Sequence, residues 1–306
     1  MKTPSMSLSK SSGSIFLNRY STGLRRRELF AGLAFAAIPL IGFAAFYFIP
    51  FGITITRTFT AGLGSNAFVG FHNYESVMYS EAFRLAAFNT FRFIGIGVPL
   101  LMALALVIAL MLNARLKGKD VFRAAYVVPL IIPTASVILV FQIFFETGGV
   151  VNYFRDLLGL GTINFLQSGN IFWILILLYL WKNIGFAIII TLTGLTQIPV
   201  DYYDAARVDG AGGFAVLWKI TLPLMAPTFF FLMVISIVGS FKSFREAFVL
   251  GGNYPHESIY LLQHFMNNNF ARINYTRLSV AAVLTFLVIF AFVLFMYLRR
   301  GRESVL

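Results

Sequence analysis

The sequence predicts an all-α integral membrane protein with six transmembrane helices. Three observations carry that reading. Only 12% of its 306 residues are charged while 58% are hydrophobic, apolar runs long enough to cross a bilayer recur along the chain, and Lys and Arg collect on alternate connections between them. A soluble domain holds about 25% charged residues, so half that share excludes one. A net charge of +12 would point to nucleic acid in a soluble chain. Here the basic residues flank apolar runs and report topology instead, so the bilayer and not nucleic acid is the expected partner. The chain has no cysteine, which excludes disulfides, thiolate catalysis and Cys-ligated metals. Its histidines, His72, His256 and His264, fall in segments expected to be exposed loops and lack metal-ligand spacing. Neither a metal nor a cofactor is expected.

Residues 1–28 are Ser-rich and basic, ending in Arg25, Arg26 and Arg27, and read as a disordered tail. The apolar run Leu29–Phe51 is too long for a signal-peptide core and no small-residue cleavage site follows it. An uncleaved anchor helix over 29–56 is therefore expected. At about 20 apolar residues per crossing, the spans fall at roughly 30–55, 88–112, 124–145, 171–195, 224–245 and 277–298. Pro39, Pro99, Pro129 and Pro133 lie inside spans, where neighbouring helices or water satisfy the freed carbonyls. The connection 113–123 is short and basic; 57–87 is longer and carries Phe68, Phe71, Tyr74 and Tyr79, suited to the interface. With the N-terminus inside, 15 of the 24 Lys and Arg fall in 1–29, 113–123, 196–223 and 299–306, against 4 in 56–87, 146–170 and 246–276. That asymmetry makes both termini and the connection 196–223 cytoplasmic.

The polar stretch DAARVDGAGGFAVLWKITLP, Asp204 to Pro223, separates two long apolar segments. Pro199 ends the fourth span, Asp201 is expected to cap a short helix through Val208, and Asp204 to complete a capping box. Asp209-Gly210 supplies a turn in which Gly takes φ > 0 without penalty. A second helical stretch then puts Phe214, Leu217, Trp218 and Ile220 on one stripe, and Pro223 and Pro227 mark the return to the membrane. Two short helices with an exposed apolar stripe make a knob that fits a groove on a partner. The alternative is an ordinary connection packed under its own bundle.

The same stretch reads acid-Ala-Ala, two residues, Asp-Gly, nine residues, Ile-x-Leu-Pro. It resembles the coupling (EAA) loop of the membrane subunits of binding-protein-dependent ABC importers. Asp204, Ala205, Ala206, Asp209, Gly210, Ala211, Ile220, Leu222 and Pro223 fall in register. The family usually has Glu at Asp204, so the charge is kept and its reach shortened. FVGFHNYESVMYSEAFRLAAFNTFRF (68–93), LYLWKNIGFAIIITLTGLTQIP (178–199) and LGGNYPHESIYLLQHFMNNNF (250–270) resemble carbohydrate-importer permeases, with one extra residue before Pro255. The resemblance spans about residues 30–300 and is similar to the larger maltose-permease subunit, without that subunit's enlarged outer insertion. It implies a type I ABC importer permease fold with its core over 88–298 and a cytoplasmic coupling loop over 196–223. It also implies a second homologous permease, a pair of cytoplasmic ATPase subunits, an outer solute-binding protein, and the cytoplasmic membrane of a prokaryote. The implied cargo is a carbohydrate, with a polyol, glycerol phosphate or other small solute as alternatives. No G-x-x-x-x-G-K-[ST] loop occurs, so the chain is expected to be non-catalytic, with ATP hydrolysed by a separate subunit.

Polar residues inside the spans complete the reading. A Lys at mid-membrane, such as Lys182 beside Trp181 and Asn183, costs about 3 kcal/mol. It must therefore face the bundle interior, water or a partner, either lining a path or pairing structurally with carbonyls or an acid. Lys242, Arg245 and Glu246 are expected at the outer end of the fifth span, with Lys242 spaced to meet both. Snorkelling and a translocation mouth are both open there. Asn89, Gln142, Asn183 and Thr191 either meet sugar hydroxyls or join helices. Lys182, Asn183 and Lys242 are the candidate pathway-lining residues. Two rivals remain: an ion-coupled secondary transporter with a Lys182–Glu246 relay, which would show an internal repeat not visible here, and a membrane scaffold, which needs no polar path.

Overall fold

Among the described residues of the computed structural model, six helices are long and apolar enough to cross a membrane: Arg27–Thr58, Glu81–Asn113, Thr134–Leu157, Ile171–Thr196, Ala226–Gly251 and Tyr275–Leu298. We call them spans one to six. The structure describes residues 14–62, 67–113, 128 and 132–303. Most of the connection 113–123 and the first part of the expected third span lie outside the described residues. The chain divides into two units, Met1–Thr56 and Arg57–Leu306.

The described part of the first unit is one long helix. Its backbone is helical from Ser14 to Phe43, where the composition led us to expect a disordered tail as far as residue 28. A helix already nucleated in the apolar run extends into a neighbouring Leu- and Arg-rich stretch without a second nucleation cost. A π turn, Ala44–Phe48, precedes Pro50. Proline lacks an N–H and its ring displaces the carbonyl four residues back, and the π turn absorbs that displacement. Leu33, Phe35, Ile38, Leu40 and Phe46 are all exposed on this helix, which is apolar on every side, as suits a lipid environment.

In the second unit span four is the most buried helix, and its most extensive contact is with span two. Leu101, Ala105, Ala109 and Leu112 recur at helical spacing on one buried face of span two, where small side chains allow close approach. Above them Phe93 meets Tyr179 edge-on, with ring centroids 5.2 Å apart. Spans four and five converge at the base of the 196–223 connection. There a Cβ on Gly194 would lie 2.5 Å from the Thr228 hydroxyl oxygen, so only glycine permits the approach. A second cluster joins Val77, Ala86, Leu262, Phe265, Val280 and Ala281, where helix Leu262–Ala271 packs against spans two and six.

Three further sequence expectations change. Span three comprises two helices, Thr134–Phe145 and Val150–Leu157, so the expected 146–170 loop is partly helical. Buried Asn152 explains the join: its amide donates to the carbonyls of Glu146 (3.0 Å) and Ile163 (2.9 Å) and accepts from the Ile163 N–H. Span five continues as a helix to Gly251 through a 3-10 turn at Phe241–Ser243, so Lys242, Arg245 and Glu246 precede the end of that helix. His264, expected in an exposed loop, is wholly buried on helix Leu262–Ala271. Its Nδ1 accepts the Leu261 N–H at 3.1 Å, and its ring sits 4.7 Å from that of Phe244. Burial lowers its pKa from the ordinary 6.5 to about 4. His72 and His256 are exposed.

Candidate functional site

The first limb of the 196–223 connection is helix Val200–Val208. Pro199, at φ −58° and ψ 138°, stands at the N-cap with no side-chain cap, so the helix begins two residues earlier than expected. Asp201 therefore lies in the first turn, favoured there by the helix dipole, and the expected capping box does not form. Asp204 instead meets Arg207 one turn on, Nη1 to Oδ1 3.0 Å, with both side chains exposed. Ala205 is exposed and Ala206 buried. At the C-terminus Gly210 takes φ +72°. Its N–H donates to Arg207 O at 3.1 Å, and the Ala211 N–H donates to Ala206 O at 2.9 Å. These paired bonds close the helix in a Schellman motif. The exposed Asp209 is its C-cap.

The second limb, Gly213–Leu224, is a short apolar helix containing a π turn at Leu217–Thr221, just before Pro223. The cause is the one given for Pro50: a missing donor and a displaced carbonyl. The extra residue in the turn splits the expected stripe. Phe214 and Trp218 remain exposed, their ring centroids 6.0 Å apart, while Leu217, Ile220 and Leu222 are half-buried. Thr221 is buried, 3.4 Å from the Tyr203 hydroxyl, and this contact ties the two limbs together. Val208, 88% exposed, joins Phe214 and Trp218 as exposed apolar residues of the connection. Sequence reasoning missed Tyr203, Arg207 and Thr221. Only the Asp204–Arg207 spacing carried a signal, since Tyr203 and Thr221 meet through the turn between the limbs.

Inside the membrane, Lys182 of span four forms an ion pair with Glu246 of span five. Glu246 is buried and Lys182 half-buried. The spacing on the sequence placed Lys242 beside that acid; the structure gives Glu246 a partner from the neighbouring helix and leaves Lys242 exposed. Asn183 donates to Tyr179 O at 2.7 Å on its own helix, and Thr191 to Ala187 O at 2.7 Å. Asn89 donates to Glu257 O at 2.5 Å and Tyr260 O at 3.1 Å, and Gln142 to Val249 O at 3.1 Å. Asn89 and Gln142 thus join segments distant in sequence, while Asn183 and Thr191 bond within their own helix. Among the described residues no group of His, Asp or Glu is arranged to hold a metal.

Residues 95–302 match the family described as the binding-protein-dependent transport system inner membrane component. The chain belongs to that family. Apart from Asn89, the residues of both groups described above fall within the matched region of this permease. The permease is 30% identical over 272 residues to the trehalose/maltose transport system permease protein MalF of Thermococcus litoralis, covering 88% of this chain and 89% of that one. It is 29% identical over 277 residues to the multiple sugar-binding transport system permease protein MsmF of Streptococcus mutans, covering 84% and 91%. Its fold is that of a chain in the crystal structure of a bacterial ABC transporter involved in import of the acidic polysaccharide alginate, with TM-score 0.78, 23% identity, and coverage of 93% of this chain and 99% of that one. The fold expected from the resemblance is therefore the fold observed, and the permease is a multi-pass membrane protein.

Proposed function

We propose that this permease is the membrane subunit of an ATP-driven importer that moves a carbohydrate across the cytoplasmic membrane of a prokaryote. The observation that carries the reading is the connection between spans four and five. Its backbone is closed by the Gly210 Schellman motif and tied across by Tyr203 and Thr221, and it exposes Val208, Phe214 and Trp218. A rigid, apolar projection suits docking into a groove, and aromatic anchors dominate such contacts. The distribution of Lys and Arg supports a cytoplasmic location for this projection and for both termini. The groove is assigned to a cytoplasmic ATPase subunit, one of a pair. A second homologous permease completes the pore and a solute-binding protein delivers cargo from outside.

Within this scheme residues 1–28 are a cytoplasmic tail, 29–56 an anchor helix, 88–298 the permease core and 196–223 the coupling loop. The polar atoms of Lys182 and Asn183 are engaged within the protein, which favours a structural role for both; Lys242 is left to face the path. The chain conducts solute and catalyses no covalent change. The test is co-purification with an ATPase subunit followed by uptake of a sugar and polyol panel by the reconstituted complex. ATP-dependent entry of a saccharide is expected. A purified permease that retains no ATPase, or uptake driven by an ion gradient alone, would overturn the reading.

A further inference from the structure

The connection between spans five and six, residues 252–274, lies one crossing from the coupling connection and so on the opposite side of the membrane. It is held to span two by Asn89, through Glu257 O and Tyr260 O, and by Thr90, whose hydroxyl accepts the Leu262 N–H at 2.9 Å. Against the start of span two it forms a cavity of about 310 Å³, at the lower end of the range for small-molecule sites. Its walls all come from this chain, and mostly from the connection itself, outside the spans. Leu85, Pro255 and Phe265 give it an apolar part. Charges of both signs line the rest, Glu257, Arg272 and Arg277. Among the described residues none of these is in ion-pair contact with another charged side chain. Asn268 and Asn269, 7% and 8% exposed, also line the cavity. Their amides donate to Asn253 O at 3.1 Å and Phe265 O at 2.8 Å. Neither side-chain oxygen accepts a hydrogen bond among the described residues, and neither is sealed from solvent. A carboxamide oxygen so placed lacks only the donor that a ligand can supply.

We propose that this cavity is a saccharide site, which takes one neutral pyranose unit of the cargo on the outer side of the permease. The inference rests on the importer reading above and adds a recognition step made by the permease itself. The set of partners decides the class. An anion would meet the Glu257 carboxylate and two carboxamide oxygens, and a cation would meet two guanidinium groups. A ring of hydroxyls uses both, donating to Glu257, Asn268 and Asn269 and accepting from Arg272 and Arg277. Both arginines have donors to spare: one nitrogen of Arg272 goes to the Tyr254 hydroxyl at 3.0 Å, and one of Arg277 to the Ser76 hydroxyl at 3.3 Å. Hydrogen bonds to these ionised groups are the strong ones, while Leu85 and Phe265 suit the C–H face of the ring. Because most of the walls stand outside the spans, the ligand comes from water and not from the bilayer.

The test uses the full-length permease in its membrane complex, held in lipid nanodiscs without the binding protein. Saturation-transfer NMR is recorded with methyl glucoside, maltose and trehalose. Transfer to at least one of these sugars is expected. Glu257→Ala with Arg272→Ala, both at exposed positions, should weaken the apparent Kd by about tenfold or more at unchanged recovery and melting temperature of the complex. Glu257→Gln with Arg272→Lys should keep most of the affinity. Ser80→Phe, which adds bulk at a wall of the cavity and leaves these charges in place, should weaken binding as the double Ala variant does. Absence of transfer to every sugar, or wild-type affinity in either disabling variant, would refute the inference. Displacement of the sugar by inorganic phosphate at equal concentration would refute it too, by making the cavity an anion pocket. Uptake with the binding protein and ATP is measured separately. Saccharide entry through a complex that shows no transfer would remove this site and leave the importer intact, whereas binding without any entry would keep a saccharide site and remove the importer reading.

Discussion

Gly210 and Lys182 show how single positions act in this permease. At Gly210 a Cβ would meet nothing within 4 Å, but the backbone sits at φ +72°. The cost of a side chain there is conformational and not steric, about 1–3 kcal/mol for a β-branched residue. Gly210→Val should insert normally, bind the ATPase weakly and lose uptake. Gly210→Asn, which tolerates the left-handed region better, should keep most of it. Wild-type uptake by Gly210→Val would show that the closed turn is not needed for coupling. At Lys182 the physics is electrostatic. Removing one member of a buried ion pair costs about 3–5 kcal/mol, whereas replacing both by apolar groups is often neutral. Because Glu246 is the buried partner, Lys182→Met should lower the thermal stability and yield of the purified complex, and Lys182→Met with Glu246→Leu should recover both. A single variant that is stable but inactive would move Lys182 from the scaffold to the path.

Two elements make predictions of their own. The second limb of the coupling connection presents Phe214 and Trp218 because the π turn before Pro223 turns Leu217 and Ile220 inward. Truncating an aromatic anchor at an interface typically costs about 2 kcal/mol or more, so Trp218→Ala should weaken ATPase association by about thirtyfold. Leu217→Ala, at a half-buried position, should act on stability instead. Equal ATPase affinities for Trp218→Ala and wild type would exclude this face from the interface. Helix Leu262–Ala271 carries a pH dependence through His264, whose pKa is lowered from 6.5 to about 4 by burial. Between those values the unfolded chain binds the proton and the folded one does not, so stability is full above about pH 6.5 and is lost as the pH falls toward 4. His264→Gln keeps an acceptor for the Leu261 N–H without titrating, and its melting temperature should fall less across that window than that of the wild type. Parallel melting curves would locate the acid sensitivity elsewhere.

For the whole molecule the decisive quantity is orientation. The native chain lacks cysteine, so single substitutions report cleanly. Val208→Cys on the coupling connection and His256→Cys beyond span five are both at exposed positions, on opposite sides of the membrane by the Lys and Arg asymmetry. In intact cells an impermeant maleimide should label position 256 and leave position 208 unlabelled until the membrane is opened. Labelling of 208 in intact cells would invert the topology and with it the assignment of the ATPase face.

Span number, the exposed connection between spans four and five and the Gly210 turn were legible in the sequence because each depends on local quantities. Hydrocarbon length decides a crossing, and left-handed backbone is readily available only to glycine. The proline-driven π turn was latent in the position of Pro223, but its effect on which side chains face outward required the helix to be built. Tertiary packing alone decided the rest. Lys182 lies 64 residues from Glu246, and the spacing on the sequence pointed to Lys242 as the partner of that acid. Burial of His264 followed from the docking of its helix against spans two and six. Local sequence sets what a segment can form; which polar group meets which depends on how spans distant in sequence are packed side by side.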